Sequence, residues 1–194
     1  EVLDGNGTSS HLSGLAWPDG HGVRQQASDL VQREIFSPCA AAALYRRQAL
    51  VDVGGFDEDY FCYVEDVDLG FRLRLAYHKA MYVPDAVVQH VGSATTGGQH
   101  SDFSVYHGHR NLVWTFVKNM PGALFWLLLP LHLMMNVAME VWFVARGQGR
   151  VIQRAKWDAI KGLPKIWAER REIQARRVAK VKDIWRVLGK GLLH

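Results

Sequence analysis

The sequence predicts an α/β fold that runs into a helical C-terminal region, and three observations carry that prediction. Short β-like runs alternate with segments of helical periodicity as far as residue 121. Residues 123–145 are then almost continuously apolar. From Arg146 onward the sequence is basic and again helical in pattern. With 194 residues, 48% of them hydrophobic and 22% charged, the chain suffices for one domain with a sizeable core plus an appendage. That composition excludes a disordered chain, a collagen-like repeat and a disulfide scaffold.

The elements follow in order. Residues 1–28 are rich in Gly, Ser, His and Asp, carry the turn signals Asn6-Gly7 and Pro18-Asp19-Gly20, and read as loop. The small apolar run Cys39 to Tyr45, after Pro38 and before Arg46-Arg47, reads as a buried strand. Arg47 to Val53 reads as a short helix stopped by Gly54-Gly55, which tolerate the positive φ that ends a helix. Val64, Val67, Phe71 and Leu75 recur at helical spacing, so Val64 to Ala76 is an amphipathic helix. Glu65, Asp66 and Asp68 crowd its first turn and Arg72 and Arg74 its last, matching the helix dipole.

Ala80 to Val83 and Ala86 to Val91 read as two short strands about a Pro84-Asp85 turn. Residues 92–100 read as loop, and Phe103 to Asn119 as a helix ended before Pro121. Charge divides the chain. Residues 146–194 hold 14 Lys and Arg against 4 Asp and Glu, so the body before them is acidic and the tail strongly basic. A basic tail on an acidic body points to an anionic partner. Cys39 and Cys62 read as free thiols, since no secretory leader pattern opens the sequence.

The segment Gly54 to Leu75, GGFDEDYFCYVEDVDLGFRLRL, resembles the signature of family-2 glycosyltransferases, particularly rhamnosyltransferase-like members. The resemblance extends from Arg46-Arg47 through Val83-Pro84, Val88-Gln89-His90 and Arg110-Asn111 to Lys118-Asn119-Met120-Pro121. It implies the GT-A (nucleotide-diphospho-sugar transferase) fold, with residues 1–121 forming the C-terminal, acceptor-side part of that domain. The expected cofactor is a divalent cation, Mg2+ or Mn2+. The expected partners are a nucleotide-sugar donor and a lipid-linked or polysaccharide acceptor, in cell-wall or polysaccharide biosynthesis.

By the same resemblance Asp66 is the catalytic base, taking the proton of the acceptor hydroxyl in an inverting displacement. A carboxylate at a helix N-terminus also stays ionised and sits on a rigid element, as a base requires. Glu65 and Asp68 take supporting roles, orienting neighbours or pairing with Arg72 or Arg74. Asp57 and Glu58 are acceptor-binding candidates, with a solvated acidic loop as the alternative. His90 is a candidate metal ligand and Arg110 a candidate diphosphate ligand, because a planar guanidinium suits phosphate oxygens. Burial against the acidic helix is the other reading of Arg110. His107 and His109 are read as packed or exposed, not as ligands.

The donor-binding half with its Asp-x-Asp metal motif is expected but not found, and the sequence opens on Glu1, so a fragment is the expectation. Residues 122–146 form an apolar membrane-associated helix and 147–194 a basic amphipathic helical tail. His132, Asn136 and Glu140 place one polar stripe on the apolar helix, which opposes a simple span and favours a helix lying on an anionic membrane surface. The expected location is the cytoplasmic face of the plasma membrane. No nucleic acid is expected. The alternative to a transferase is a non-catalytic membrane-surface module that binds glycan or a partner.

Overall fold

The structure is a computed structural model that describes residues 2–89 and 100–191. It is mixed α/β but helix-rich. The strands β1 (Thr8–Ser10) and β2 (Ala16–Pro18) form one antiparallel hairpin, with Ser9 opposite Trp17. The strands β3 (Arg33–Ile35) and β4 (Ala80–Tyr82) form a second antiparallel pair, with Glu34 opposite Met81. Among the described residues six α-helices complete the order: α1 (Arg47–Val53), α2 (Glu65–Leu75), α3 (Asp102–Asn119), α4 (Gly122–Ala145), α5 (Gly149–Ala175) and α6 (Val181–Val187).

Local chemistry explains the helix ends. The α1 helix stops at Gly54, whose φ of 82° lets its N–H and that of Gly55 return to Val51 O and Leu50 O. The α2 helix ends in a Schellman arrangement, Tyr77 N donating to Arg74 O and His78 N to Leu73 O. Tyr77, not a glycine, takes the left-handed φ of 71° at this end. The Ser101 side chain caps α3 by accepting from Ser104 N.

One apolar core joins Phe36, Phe71, Phe116, Phe125, Ile166 and Ile184, so α2, α3, α4, α5 and α6 share it. Each such side chain contributes about 1.5–3 kcal/mol on burial. The α5 helix lies along α3 and also packs on α4. After α5 the chain folds back on α2, Val178 N and Ala179 N both donating to Leu75 O. Gly189 then pairs with the first hairpin, donating to Ser10 O and accepting from Leu12 N.

Three segments differ from the sequence expectation. Residues 1–28 contain the β1–β2 hairpin, not only loop; Gly14 at its tip (φ 82°) lies so close to His132 and Phe116 that a Cβ would come within 2.6 Å of the His132 ring. Cys39 to Tyr45 is not a buried strand. It holds a 3-10 turn at Ala40–Ala42, and Leu44 is fully exposed, because no strand among the described residues lies beside it to complete a ladder. Ala86 to Gln89 is likewise exposed and outside any strand, and Val91 lies outside the described residues.

Candidate active site

The site is built where α2 begins. The backbone before it is strained: Phe61, Tyr63 and Val64 have φ of 61°, 61° and 69°. Residues held there cost on the order of 1–3 kcal/mol each, so something must hold them. Asn111 does, its single Nδ2 donating to the carbonyls of Tyr60, Cys62 and Tyr63 at 3.0, 2.9 and 2.7 Å. Arg110 reinforces it through Nη2 to Asp59 O and Tyr60 O, both 3.1 Å, while its guanidinium stacks on Trp114. The Arg110 side chain, a diphosphate candidate in the sequence, is therefore placed as the brace of this loop.

Asp66 is half-buried at the first turn. Its Oδ2 accepts from Ala40 N at 3.2 Å and its Oδ1 from Val67 N at 2.8 Å. The 37–40 segment reaches Asp66 because residue 70 is glycine. A Cβ there would stand 2.1 Å from Ser37 Cβ. Burial lifts the Asp66 carboxyl above the ordinary Asp range, against the backbone N–H groups that favour the anion. The net direction is upward, so desolvation outweighs these N–H groups.

Glu65 is also lifted, by burial and then by the Asp66 charge, and its Oε2 is enclosed without a hydrogen-bond partner among the described residues. Tyr45 stands within electrostatic reach of both. Its hydroxyl is enclosed and unpartnered among the described residues, and burial followed by the charges of Asp66, Cys39 and Glu65 pushes its pKa to about 12. Sequence reasoning missed Tyr45, which sat in the run read as a strand. No ion pair to Glu65 or Asp66 is present among the described residues.

Asp68 is the opposite case. It is completely buried, its Oδ1 accepting from Tyr60 OH, Asn119 Nδ2 and Lys118 Nζ at 3.1, 2.7 and 2.9 Å, its Oδ2 from Arg72 Nε at 2.8 Å. The pairing with Arg72 expected from the sequence is present. Lys118, 1% exposed, also reaches Asp57 Oδ2 at 2.5 Å. Burial raises the Asp57 carboxyl, but Lys118 overcomes it and the net direction is down. The other oxygen of Asp57 accepts from Asp59 N at 3.0 Å, so this acceptor candidate caps its own loop. Glu58 beside it is exposed.

His90 lies outside the described residues. Among those described, Asp57, Asp59 and Glu169 bring carboxylate oxygens within 4.8 Å of one another. Oxygen donors suit Mg2+ or Mn2+. In this structure Lys118 and Lys165 pair with the trio, Lys118 with Asp57 and, at 3.7 Å, with Glu169, and Lys165 with Asp59. His107 packs among Phe61, Phe103 and Tyr106, and His109 is buried against Phe143 with its pKa pushed down to about 3 by burial.

The chain is similar to family-2 glycosyltransferases: residues 21–111 match the family described as glycosyltransferase like family 2. More particularly it is similar to rhamnosyltransferases. It is 33% identical over 141 residues to the N-acetylglucosaminyl-diphospho-decaprenol L-rhamnosyltransferases of two Mycobacterium tuberculosis strains, CDC 1551 / Oshkosh and ATCC 25618 / H37Rv. The matched stretch covers 72% of this chain and 45% of each relative, so the chain spans less than half the length of these relatives. No solved structure matches. The family implies the GT-A fold.

Proposed function

We propose that this chain carries the acceptor-side part of a glycosyltransferase that moves a sugar, with rhamnose the leading candidate, from a nucleotide donor to a lipid-diphosphate-linked glycan. The observation that carries this reading is Asp66: a desolvated carboxylate, fixed by two backbone N–H groups and free of any cation partner among the described residues. A raised proton affinity is what a general base needs. The acceptor hydroxyl gives its proton to Asp66 as its oxygen attacks the anomeric carbon, and the nucleoside diphosphate leaves from the opposite face, which inverts the configuration.

Glu65 stands beside it, and Tyr45 lies within electrostatic reach of both. The rhamnose donor and polyprenyl-linked acceptor follow the names of the relatives. The implied location is the cytoplasmic face of the plasma membrane. In the test, full-length protein is given nucleotide-linked rhamnose and N-acetylglucosaminyl-diphospho-polyprenol, and transfer is measured for parent and Asp66→Asn. Turnover should fall by about 10²–10⁴ with the fold intact. Parent-like rates in the variant would remove Asp66 from the role, and no transfer by the parent would remove the reaction.

A further inference from the structure

The α4 helix is built inside out. Its exposed positions between residues 122 and 145, among them Trp126, Leu127, Met134, Val137, Val141 and Trp142, include no polar residue. His132 and Asn136 turn the other way, while Glu140 is half-buried and lines a surface cavity with Val137, Val141, Val144 and Ala145. His132 is buried, stacks on Phe116 and donates from Nδ1 to Ser13 O at 2.7 Å. Asn136 donates to His132 O and accepts from Lys156 Nζ, while Glu140 lies within electrostatic reach of that lysine. A helix on the surface of a water-soluble body shows the reverse pattern.

Twenty-four residues make this apolar stripe about 36 Å long. Tryptophans stand near both ends, and the Arg146 guanidinium lies 4.5 Å from the Trp142 ring centroid, pairing a cation with an indole at the C-terminal end. The adjoining α5 exposes Trp157 and Ile160 between Arg150, Arg154 and Lys161. Apolar face, terminal indoles and flanking cations match an anionic lipid surface, not a second protein.

We propose that α4 docks in the plane of an anionic bilayer, its outer stripe at the acyl boundary and Arg146 and Arg150 at the phosphates. The inner face fixes this orientation. Phe143 packs with Val105 of α3 and Ile152 of α5, and His132 is tied to the first hairpin, so α4 cannot cross the bilayer without leaving the body. This inference does not rest on sugar transfer, because lipid binding needs no donor.

The test uses the full chain with phosphatidylcholine vesicles, with and without phosphatidylglycerol. The chain should sediment with the phosphatidylglycerol vesicles, with a blue shift in tryptophan emission. Leu127→Glu/Met134→Glu/Val141→Glu should reduce binding at least roughly tenfold with unchanged circular dichroism, Arg146→Glu/Arg150→Glu should remove the dependence on phosphatidylglycerol, and Val51→Glu on α1 should bind like the parent. No sedimentation of the parent, or parent-like binding by the triple variant, would overturn the proposal. So would a dimer that the triple variant dissociates while vesicle binding is unchanged. In a Cys39→Ser/Cys62→Ser background, single cysteines at Ala123 and Ala145 should both react with an impermeant maleimide added outside; reaction at one end only would mean a span.

Discussion

Two acidic regions lie within one turn of α2 and are handled in opposite ways. On the inner side, Asp68 is buried completely with two cations and two further donors around it, and Asp57 shares the same Lys118. At the rim, Glu65 and Asp66 are desolvated yet receive only backbone N–H groups, and an oxygen of Glu65 receives nothing among the described residues. The inner carboxylates are stabilised as anions and hold the fold. The rim carboxylates are left with raised proton affinity, which is reactivity stored at the expense of stability.

Replacing Asp66, the proposed base, breaks this contrast most visibly. The turnover loss expected for Asp66→Asn corresponds to about 2.7–5.5 kcal/mol in the barrier. The same variant should be more stable than the parent at neutral pH in urea unfolding. The Asp66 pKa is raised in the folded state, so its folded-state advantage exists below the unfolded pKa and is lost as pH rises through the folded value. The stability difference should therefore shrink on acidification; a variant less stable than the parent at pH 7 would contradict desolvation as the dominant effect.

Lys118→Met tests the inner region. It leaves Asp68 and Asp57 without their shared cation, and unfolding free energy should drop by about 3–5 kcal/mol. A drop below about 1 kcal/mol would mean that Arg72, Tyr60 and Asn119 suffice for Asp68. Next in size is the pH profile of sugar transfer. The acid limb should fall about tenfold per pH unit beneath an apparent pKa above the ordinary Asp range, and this limb should disappear in Asp66→Asn. A limb at an unshifted Asp value would place the base in solvent. The smallest effect is at the far end of α2, where Tyr77→Gly relieves the left-handed backbone and should raise stability by about 0.5–1 kcal/mol by thermal melting.

What the sequence made legible was local. The ends of α1, α2 and α3 follow from Gly54, the acidic first turn and Pro121, all within a few residues of the structure they decide. The β1–β2 hairpin was hidden because Thr8 to Pro18 has no alternation, and its tip is set by His132, more than a hundred residues away. Cys39 to Tyr45 misled because a small apolar run reads as a strand whether or not a partner exists. The polar stripe of α4 was visible, but its direction was not, since Ser13 and Lys156 decide it. Asp66 was singled out as a candidate base by the resemblance of its segment. The shift in its proton affinity depends on Ala40 and Gly70 closing over it, which spacing along α2 does not reveal.

The pairing of Gly189 with Ser10 and Leu12 has a kinetic consequence. The hairpin leaves the ribosome well before Gly189, which covers the strand edge that it offers. At about 5–20 residues per second, that edge waits on the order of ten to forty seconds for its partner. Through that interval its amide and carbonyl groups are open to any other chain nearby. A partner that shields residues 8–12 during synthesis would protect the step that the final stability of the core does not.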